Sequence, residues 1–350
     1  MNFATLKGLT IPEGVVKKIQ DAMGKTLWAL SGEPKYYGMI TPFSAAKKRF
    51  TAATVGDFAL FAGGYTNNAV IVDTIDVYNK ALTKTTSAAL SVARHNLAAT
   101  TLGGYVLFAG GDTNSSTPAA SAVVDVFDTA LTRTNPAVLS YARYQLAATT
   151  VGNYALFAGG LTAADTYTNR VEAYDTSFTK KSSTLSKSIH RLAATTLGNY
   201  ALFSGGKNVN AARAETVAFD AALTRTIATS ISKARYDLGA TTVGNYALFA
   251  GGHNGTTTFT TVDAFDTSLT LSAPAALAGF GSHPAATTLG DYALFATSYG
   301  VTTYDTSLTH KNVSGENGIM WDATTVGNYA LFAGDGLDVS VDDRVHAYTI

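Results

Sequence analysis

The hexapeptide Ala-Leu-Phe-Ala-Gly-Gly is the feature that most constrains how this chain can fold. It occurs unchanged at residues 59–64, 155–160 and 247–252, and its variants lie at residues 106–111, 201–206, 293–298 and 330–335. The phenylalanines of successive copies are 47, 49, 46, 46, 46 and 37 residues apart. A period of 40 to 50 residues is typical of β-propeller blades. The sequence therefore predicts one supersecondary unit repeated seven times.

Each repeat has the pattern of four short strands, here called a to d. In the third repeat, strand a covers residues 146–150, strand b residues 154–158, strand c residues 170–174, and strand d begins at residue 178. Strand b has no polar face, so both of its sides must be covered. Blades that stack radially against their neighbours provide that cover. We therefore predict an all-β, seven-bladed propeller.

The two ends of the chain predict how the ring closes. The seventh repeat stops at strand c, and residues 36–40 align with the strand d position, so we expect an N-terminal strand to complete the last blade. The propeller would then span residues 34–350. Residues 1–33 do not match the repeat. We expect them to form a short helix-strand attachment segment, in which Thr10, Pro12 and Glu13 begin a helix and residues 26–30 form a strand.

Several repeated positions resemble the kelch repeat. In the third blade these are Gly159 and Gly160, then Tyr174 and Asp175, with Arg143 before strand a. The resemblance covers residues 36–350 and implies a kelch-like propeller. The tryptophan usual in strand d is absent, with Thr85, Thr134, Lys181 and Thr226 near its place. The chain therefore looks like a divergent bacterial or phage-type array.

The opening residues carry a second resemblance. Residues 6–16, together with Leu27 and Trp28, look like the N-terminus of tail or baseplate-associated structural proteins from phages of gut Firmicutes. This resemblance implies a virion location, or the bacterial cytoplasm during assembly. It also implies that residues 1–33 attach the propeller to the virion or to sister chains.

Strand parity separates two faces of the ring. The face with the a–b and c–d turns, here called face Y, repeats nearly unchanged sequences. The face with the b–c loops and d–a connections, here called face X, varies from blade to blade, and varied loops on a uniform scaffold are typical of a binding surface. The predicted ligand-binding residues on face X are Tyr65, Arg94, His95, Asn96, Arg143, Tyr144, Gln145, His190, Arg191, Arg235, Tyr236, Asp237, His253 and His283.

Structural roles for these same residues remain open at this point. The b–c loops could simply be tolerant solvated loops. The resemblance to kelch repeats implies that Arg94, Arg143 and Arg235 could instead brace neighbouring blades through backbone carbonyls. Tyr65, Tyr144 and Tyr236 could stack on sugar rings or pack against loops.

Composition and motifs exclude several kinds of chemistry. The net charge is zero and no basic tract occurs, so we expect no nucleic-acid partner. No cysteine is present, which excludes disulfides, thiolate metal sites and the copper oxidase variant of kelch-like propellers that needs a Tyr–Cys crosslink. No run of 18 apolar residues and no secretory leader is found, so we expect no membrane insertion. The six histidines lack metal-ligand spacing, so we expect no metal and no cofactor.

The sequence favours a non-enzymatic function. It has no nucleophile-elbow motif, and Asp76, Asp125, Glu172 and Asp263 recur in strand c, which indicates a structural role. We therefore predict a receptor-binding or adhesion propeller that recognises a bacterial surface polysaccharide or protein through face X. Two alternatives stay open: a carbohydrate-active, epimerase-like kelch enzyme, and an intracellular protein-interaction scaffold. For the enzyme we expect His95, His190 and Arg235 to converge around a pocket with a carboxylate.

Overall fold

The computed structural model describes residues 18–20, 26–29, 32–163, 166–313, 315, 320–334 and 342–350. These residues contain thirty β-strands and no helix. The chain divides into two compact units, residues 1–33 with Ile350 and residues 34–349. In the first unit, β1 (Lys18–Gln20) pairs antiparallel with β2 (Thr26–Ala29). The expected strand near residue 26 is confirmed. The expected helix is wrong at residues 18–20, and the rest of it lies outside the described residues.

The second unit is a ring of seven four-stranded antiparallel sheets. Blades 1 to 4 are β4 (Thr51–Val55), β5 (Phe58–Ala62), β6 (Ile75–Asn79) and β7 (Lys84–Thr85); β8 (Ala98–Leu102), β9 (Tyr105–Ala109), β10 (Val123–Asp128) and β11 (Arg133–Val138); β12 (Ala147–Val151), β13 (Tyr154–Ala158), β14 (Arg170–Tyr174) and β15 (Lys180–Thr184); and β16 (Ala193–Leu197), β17 (Tyr200–Ser204), β18 (Thr216–Asp220) and β19 (Arg225–Ala228).

Blades 5 and 6 continue in chain order, and blade 7 uses both ends of the unit. Their strands are β20 (Gly239–Val243), β21 (Tyr246–Ala250), β22 (Val262–Asp266) and β23 (Leu271–Ser272); β24 (Ala286–Leu289), β25 (Tyr292–Thr297), β26 (Gly300–Asp305) and β27 (His310–Val313); and β28 (Asp322–Val326), β29 (Tyr329–Ala333), β30 (Val345–Thr349) and β3 (Lys35–Ile40). The first strands of neighbouring blades contact each other around the whole ring, including β28 with β4. The seven-bladed propeller is confirmed.

The last blade closes as the sequence predicted. β3 pairs antiparallel with β30, with Tyr36 opposite Tyr348 and Ile40 opposite Val345. The rings of Tyr36 and Tyr348 lie 5.3 Å apart. An N-terminal strand therefore holds the C-terminal strand in place.

The middle strands are buried on both sides by neighbouring blades. In β13, Phe157 packs in a cluster with Leu107 of blade 2, whereas Leu156 packs with Phe203 of blade 4. Burial of each such side chain stabilises the fold by roughly 1.5–3 kcal/mol. This two-sided cover explains why the strand is apolar at every position.

The inner strands are held together by threonine hydroxyls. Thr149 and Thr196 hydroxyl oxygens lie 2.8 Å apart, and those of Thr195 and Thr242 lie 2.9 Å apart, in each case across a blade boundary. Small residues fit where seven strands converge, and the hydroxyls satisfy one another between blades. The repeated Ala-Thr-Thr of strand a follows from this packing.

The glycine pair after strand b has a backbone cause. Gly159 and Gly160 have φ of 68° and 107°, values that side chains disfavour. A Cβ on Gly159 would lie 2.5 Å from the Ile189 carbonyl oxygen, and one on Gly160 would lie 2.8 Å from that of Tyr144. The chain can leave the strand beside its neighbour only with glycine at these two positions.

Candidate ligand-binding face

The b–c loops and the d–a connections lie together on face X. Isolated antiparallel bridges join them in successive blades: Lys48 with Tyr65, His95 with Asp112, Tyr144 with Leu161, His190 with Lys207, and Tyr236 with His253. The face that strand parity assigned to the variable segments is therefore one continuous surface around the channel.

Face Y is uniform because its turns share one hydrogen-bond pattern. In blade 3, the Asp175 carboxylate accepts hydrogen bonds from the amides of Ser177 and Thr179, both at 2.9 Å. The same pair of bonds forms at Asp128, Asp220, Asp266 and Asp305. The local backbone determines these residues, so their repetition has a structural explanation.

Three arginines that the sequence assigned to the ligand-binding face are buried instead. Arg94, Arg143 and Arg235 are 0% exposed. They pair with Asp125, Glu172 and Asp263 at 2.7, 2.9 and 2.8 Å. Each also donates to a strand b carbonyl, at Phe108, Phe157 and Phe249. We correct their assignment: these arginines brace strands b and c. With Lys47, which pairs with Asp76 at 2.9 Å, they form the bracing row.

The residues that directly follow Arg94, Arg143 and Arg235 pack beneath the loops, as does His190 at the same position in blade 4. His95, Tyr144, His190 and Tyr236 are buried, so their assignment to the exposed binding surface is also corrected. The Tyr65 ring lies 5.1 Å from His95, and the His253 ring lies 4.2 Å from Tyr236. A nitrogen of His190 lies 2.8 Å from the Gln145 amide oxygen. These residues support the loops. For Tyr144 and Tyr236 this agrees with the alternative that they pack against loops.

The next position in each connection lines the mouth of the channel. A cavity of about 260 Å³ opens there, and its walls bring together five of the predicted residues, Asn96, Gln145, Arg191, Asp237 and His283. Arg49, Trp321 and Asp322 line the same cavity. Arg49, Asn96, Gln145, Arg191, Asp237 and His283 are called the mouth ring below. Each comes from a different blade, and the leucines that follow four of them line the cavity as well: Leu97, Leu146, Leu192 and Leu238.

A chain of backbone hydrogen bonds holds five members of the mouth ring. The amides of Asn96, Gln145, Arg191 and Asp237 each donate to the carbonyl of the preceding member, at 2.9 to 3.1 Å. All five residues from Arg49 to Asp237 have φ between 53° and 57°. The same backbone conformation thus presents five side chains of four types to one cavity.

A charged cluster occupies one wall of the cavity. The Arg191 guanidinium donates two hydrogen bonds to the Asp237 carboxylate, one of them at 2.7 Å from Nε, and His253 Nε2 lies 3.1 Å from the same carboxylate. Burial alone would raise the pKa of Asp237, but the hydrogen bonds from His253 and Arg191 and the nearby His283 lower it. Asp237 is therefore ionised at neutral pH, and the neighbouring Arg191 balances its negative charge.

The neighbouring wall, from blades 6 and 7, carries aromatic rings and a second carboxylate. The Trp321 indole donates to the Phe50 carbonyl at 3.1 Å and stacks on the His283 ring at 4.6 Å. Asp322 accepts hydrogen bonds from the Ala52 and Ala323 amides, both at 2.8 Å. Burial raises the pKa of Asp322 to about 6, although these bonds favour the ionised form. The two carboxylates of the cavity therefore titrate in different ranges.

Sequence reasoning missed Arg49, Trp321 and Asp322. Arg49 precedes the first strand a by the same offset as Asn96 precedes the second, so extending the repeat alignment would have found it. Trp321 and Asp322 occupy the positions of Phe50 and Thr51 in the repeat. They lie in the interval where successive phenylalanines are only 37 residues apart, and this shorter spacing obscures the alignment. Tyr65 and His253 remain half-buried on the loops, beside the mouth.

The arrangement expected of the enzyme alternative does not form as foreseen. It required His95, His190 and Arg235 to converge around a carboxylate, but Arg235 is buried against Asp263 and none of the three lines the cavity. Within the described ranges, no group of three or more His, Asp or Glu could hold a metal ion. Across those same ranges, no helix is long and apolar enough to cross a membrane.

The comparisons with known proteins place the fold but not the family. No family model matches the chain, and no curated protein sequence matches it. Among solved structures, 735 chains match, and one of them is the structure of YjhT. It aligns with a TM-score of 0.60 at 11% identity, covering 87% of this chain and 99% of its own. A shared propeller does not establish a shared function, so these matches support the fold alone.

Proposed function

We propose that this chain is a non-enzymatic, kelch-type binding propeller that recognises a bacterial surface glycan through the cavity at the mouth of face X. One observation carries the proposal: each member of the mouth ring comes from a different blade, and these six polar residues of five types surround one cavity. The strands and the turns of face Y repeat, so the variation is concentrated on face X, where the cavity opens. Ligand sites typically combine concavity with a few convergent polar groups.

The chemistry of the cavity suits a carbohydrate. Asn96 and Gln145 offer amide donors and acceptors, and Arg49 adds guanidinium donors, which match the paired donor and acceptor character of sugar hydroxyls. The stacked Trp321 and His283 rings offer an apolar face for sugar C–H groups. Asp237 is already offset by Arg191, so the site does not favour a strongly charged ligand.

The resemblance of the opening residues supports a setting for this activity. We propose that the protein is associated with a phage tail or baseplate and that residues 1–33 attach the propeller to the particle. Many copies on one particle would raise a weak single-site affinity by avidity. A shallow sugar site would then suffice for adhesion.

Binding of the fluorescently labelled full-length chain to intact Gram-positive gut bacteria and to their extracted wall polysaccharides tests the proposal. We expect saturable binding that soluble wall polysaccharide displaces. Absence of saturable binding across a broad panel of strains and polysaccharides would contradict it.

A carbohydrate-active enzyme is the second candidate, because one observation favours it. Asp237 and Asp322 line one cavity, and their pKa values are shifted in opposite directions, which is typical of a general base paired with a general acid. Incubation with wall polysaccharide, followed by NMR of the sugar signals, distinguishes the two. New signals that disappear in Asp322→Asn would favour the enzyme, whereas unchanged spectra favour a binding protein.

A further inference from the structure

The rim of loops around the mouth is interrupted at blade 6. In blades 1 to 5, the b–c loops are residues 63–74, 110–122, 159–169, 205–215 and 251–261. In blade 6, only Ser298 and Tyr299 join β25 to β26. In blades 1 to 5, a loop residue bridges to the connection before strand a, as His253 does with Tyr236. At blade 6 there is no loop long enough to make that bridge, so the rim has a notch.

Two exposed aromatic residues lie at this notch. Phe280 and Tyr299 are 55% and 59% exposed. Phe280 and Ser298 exchange hydrogen bonds: the Phe280 amide donates to the Ser298 hydroxyl at 3.1 Å, and the Ser298 amide donates to the Phe280 carbonyl at 2.9 Å. A Cβ on Gly279 would lie 2.8 Å from a Tyr299 ring carbon, so that ring packs directly against the backbone beside Phe280.

Only a short stretch of chain separates the notch from the mouth. His283 follows Phe280 closely in the chain, and the stretch between them spans at most about 11 Å even when extended. His283 lines the mouth cavity and stacks on Trp321. Exposed rings outside the rim are thus joined by a short stretch of chain to stacked rings inside it. Neighbouring exposed aromatic rings beside a cavity are typical of an interaction surface.

We propose that the notch at blade 6 is an extended subsite through which a linear, neutral polysaccharide runs outward from the mouth cavity across Phe280 and Tyr299. This inference rests on the proposed function and specifies its ligand. A single sugar would fill the mouth without reaching these rings, whereas a polymer covers both. The mouth presents Arg49 and Arg191 together with Asp237 and Asp322, so charges of both signs are balanced and a neutral chain fits.

Binding of size-graded fragments of extracted wall polysaccharide, from monosaccharides upward, tests the subsite. The full chain should bind long fragments at least about 10-fold more tightly than the shortest that bind. The double variant Phe280→Ala, Tyr299→Ala should remove that gain and leave the affinity for the shortest fragments unchanged. Tyr37→Ala is the matched control: Tyr37 is 56% exposed on β3, the outer strand of blade 7, and its loss should change neither affinity.

A loop graft gives an independent test. Replacing Ser298 and Tyr299 with residues 252–260 of blade 5 would fill the notch while keeping the mouth ring. We expect this variant to lose long-fragment affinity and keep short-fragment affinity, with an unchanged melting temperature. Equal binding of all lengths by the unmodified chain, or no effect of either variant on long fragments, overturns the subsite alone. No binding of any fragment by the unmodified chain overturns the proposed function together with it.

Discussion

The bracing row and the mouth ring lie two residues apart in the same connections, yet they differ in every property that matters for binding. Lys47, Arg94, Arg143 and Arg235 are cationic, fully buried and paired with strand c carboxylates. The mouth ring carries six residues of five types and lines an open cavity. The bracing residues repeat because they pack between strands, whereas the mouth-ring residues vary on the surface that is available for recognition.

Blade 4 shows that the bracing row is structural. At the positions of Arg143 and Glu172 it has Ile189 and Val217, both buried in one apolar cluster. The fold thus accepts either a buried ion pair or an apolar pair. Replacing a buried ion pair by apolar residues of similar volume is often neutral or stabilising, whereas removing one partner is costly. Because apolar residues can take the place of this ion pair, we infer that its role is packing and not ligand binding.

The largest effect is expected from breaking one brace. Arg143→Ala leaves Glu172 buried without its main partner and should lower the free energy of unfolding by about 3–5 kcal/mol, measured by urea denaturation. The double variant Arg143→Ile, Glu172→Val copies blade 4 and should regain most of that loss. A double variant as unstable as the single one would contradict the equivalence of the two blades.

The carboxylate at the mouth should make stability depend on pH. Burial raises the pKa of Asp322 to about 6, so the folded chain holds this proton from about pH 4 to pH 6 while the unfolded chain releases it. Ionisation of Asp322 should therefore cost about 1–3 kcal/mol of stability as the pH rises through that range. Comparing melts of the chain and of Asp322→Asn at pH 5 and pH 7.5 isolates this contribution. If both proteins respond equally to pH, Asp322 does not titrate as described.

The mouth ring should affect affinity rather than stability. Gln145→Asn keeps an amide but shortens the side chain, and asparagine tolerates the positive φ at this position. We expect affinity for extracted wall polysaccharide to fall about 10-fold, equivalent to about 1.4 kcal/mol. The free energy of unfolding should change by less than about 1 kcal/mol. A larger loss of stability than of affinity would place Gln145 with the bracing residues.

The smallest effect is expected on face Y. Asp175→Ala removes the acceptor of the Ser177 and Thr179 amides in an exposed turn and should cost about 1 kcal/mol of stability. Polysaccharide affinity should stay within error of the unmodified chain. A clear loss of affinity would show that face Y also takes part in recognition.

The sequence predicted the fold well because the fold repeats. The strands of blade 3, the role of Gly159 and Gly160 and the closing strand near residue 36 all follow from comparing one repeat with another. The candidate site was predicted only in part. Arg143 and Gln145 belong to the same connection, and no sequence pattern reveals that Gln145 has a left-handed backbone and lines the cavity while Arg143 is buried. Trp321 and the notch at blade 6 lie where the repeat departs from its period, so comparison between repeats could not find them.

The most direct measurement uses the absence of cysteine from the chain. A single cysteine introduced as Gln145→Cys at the mouth, or as Ser177→Cys on face Y, can carry a bulky maleimide label at one known position. Each labelled protein is compared with its unlabelled form for binding to extracted wall polysaccharide. The account predicts that the label at residue 145 abolishes binding and the label at residue 177 leaves it unchanged. Full binding with the mouth blocked, or loss of binding only when face Y is labelled, would contradict it.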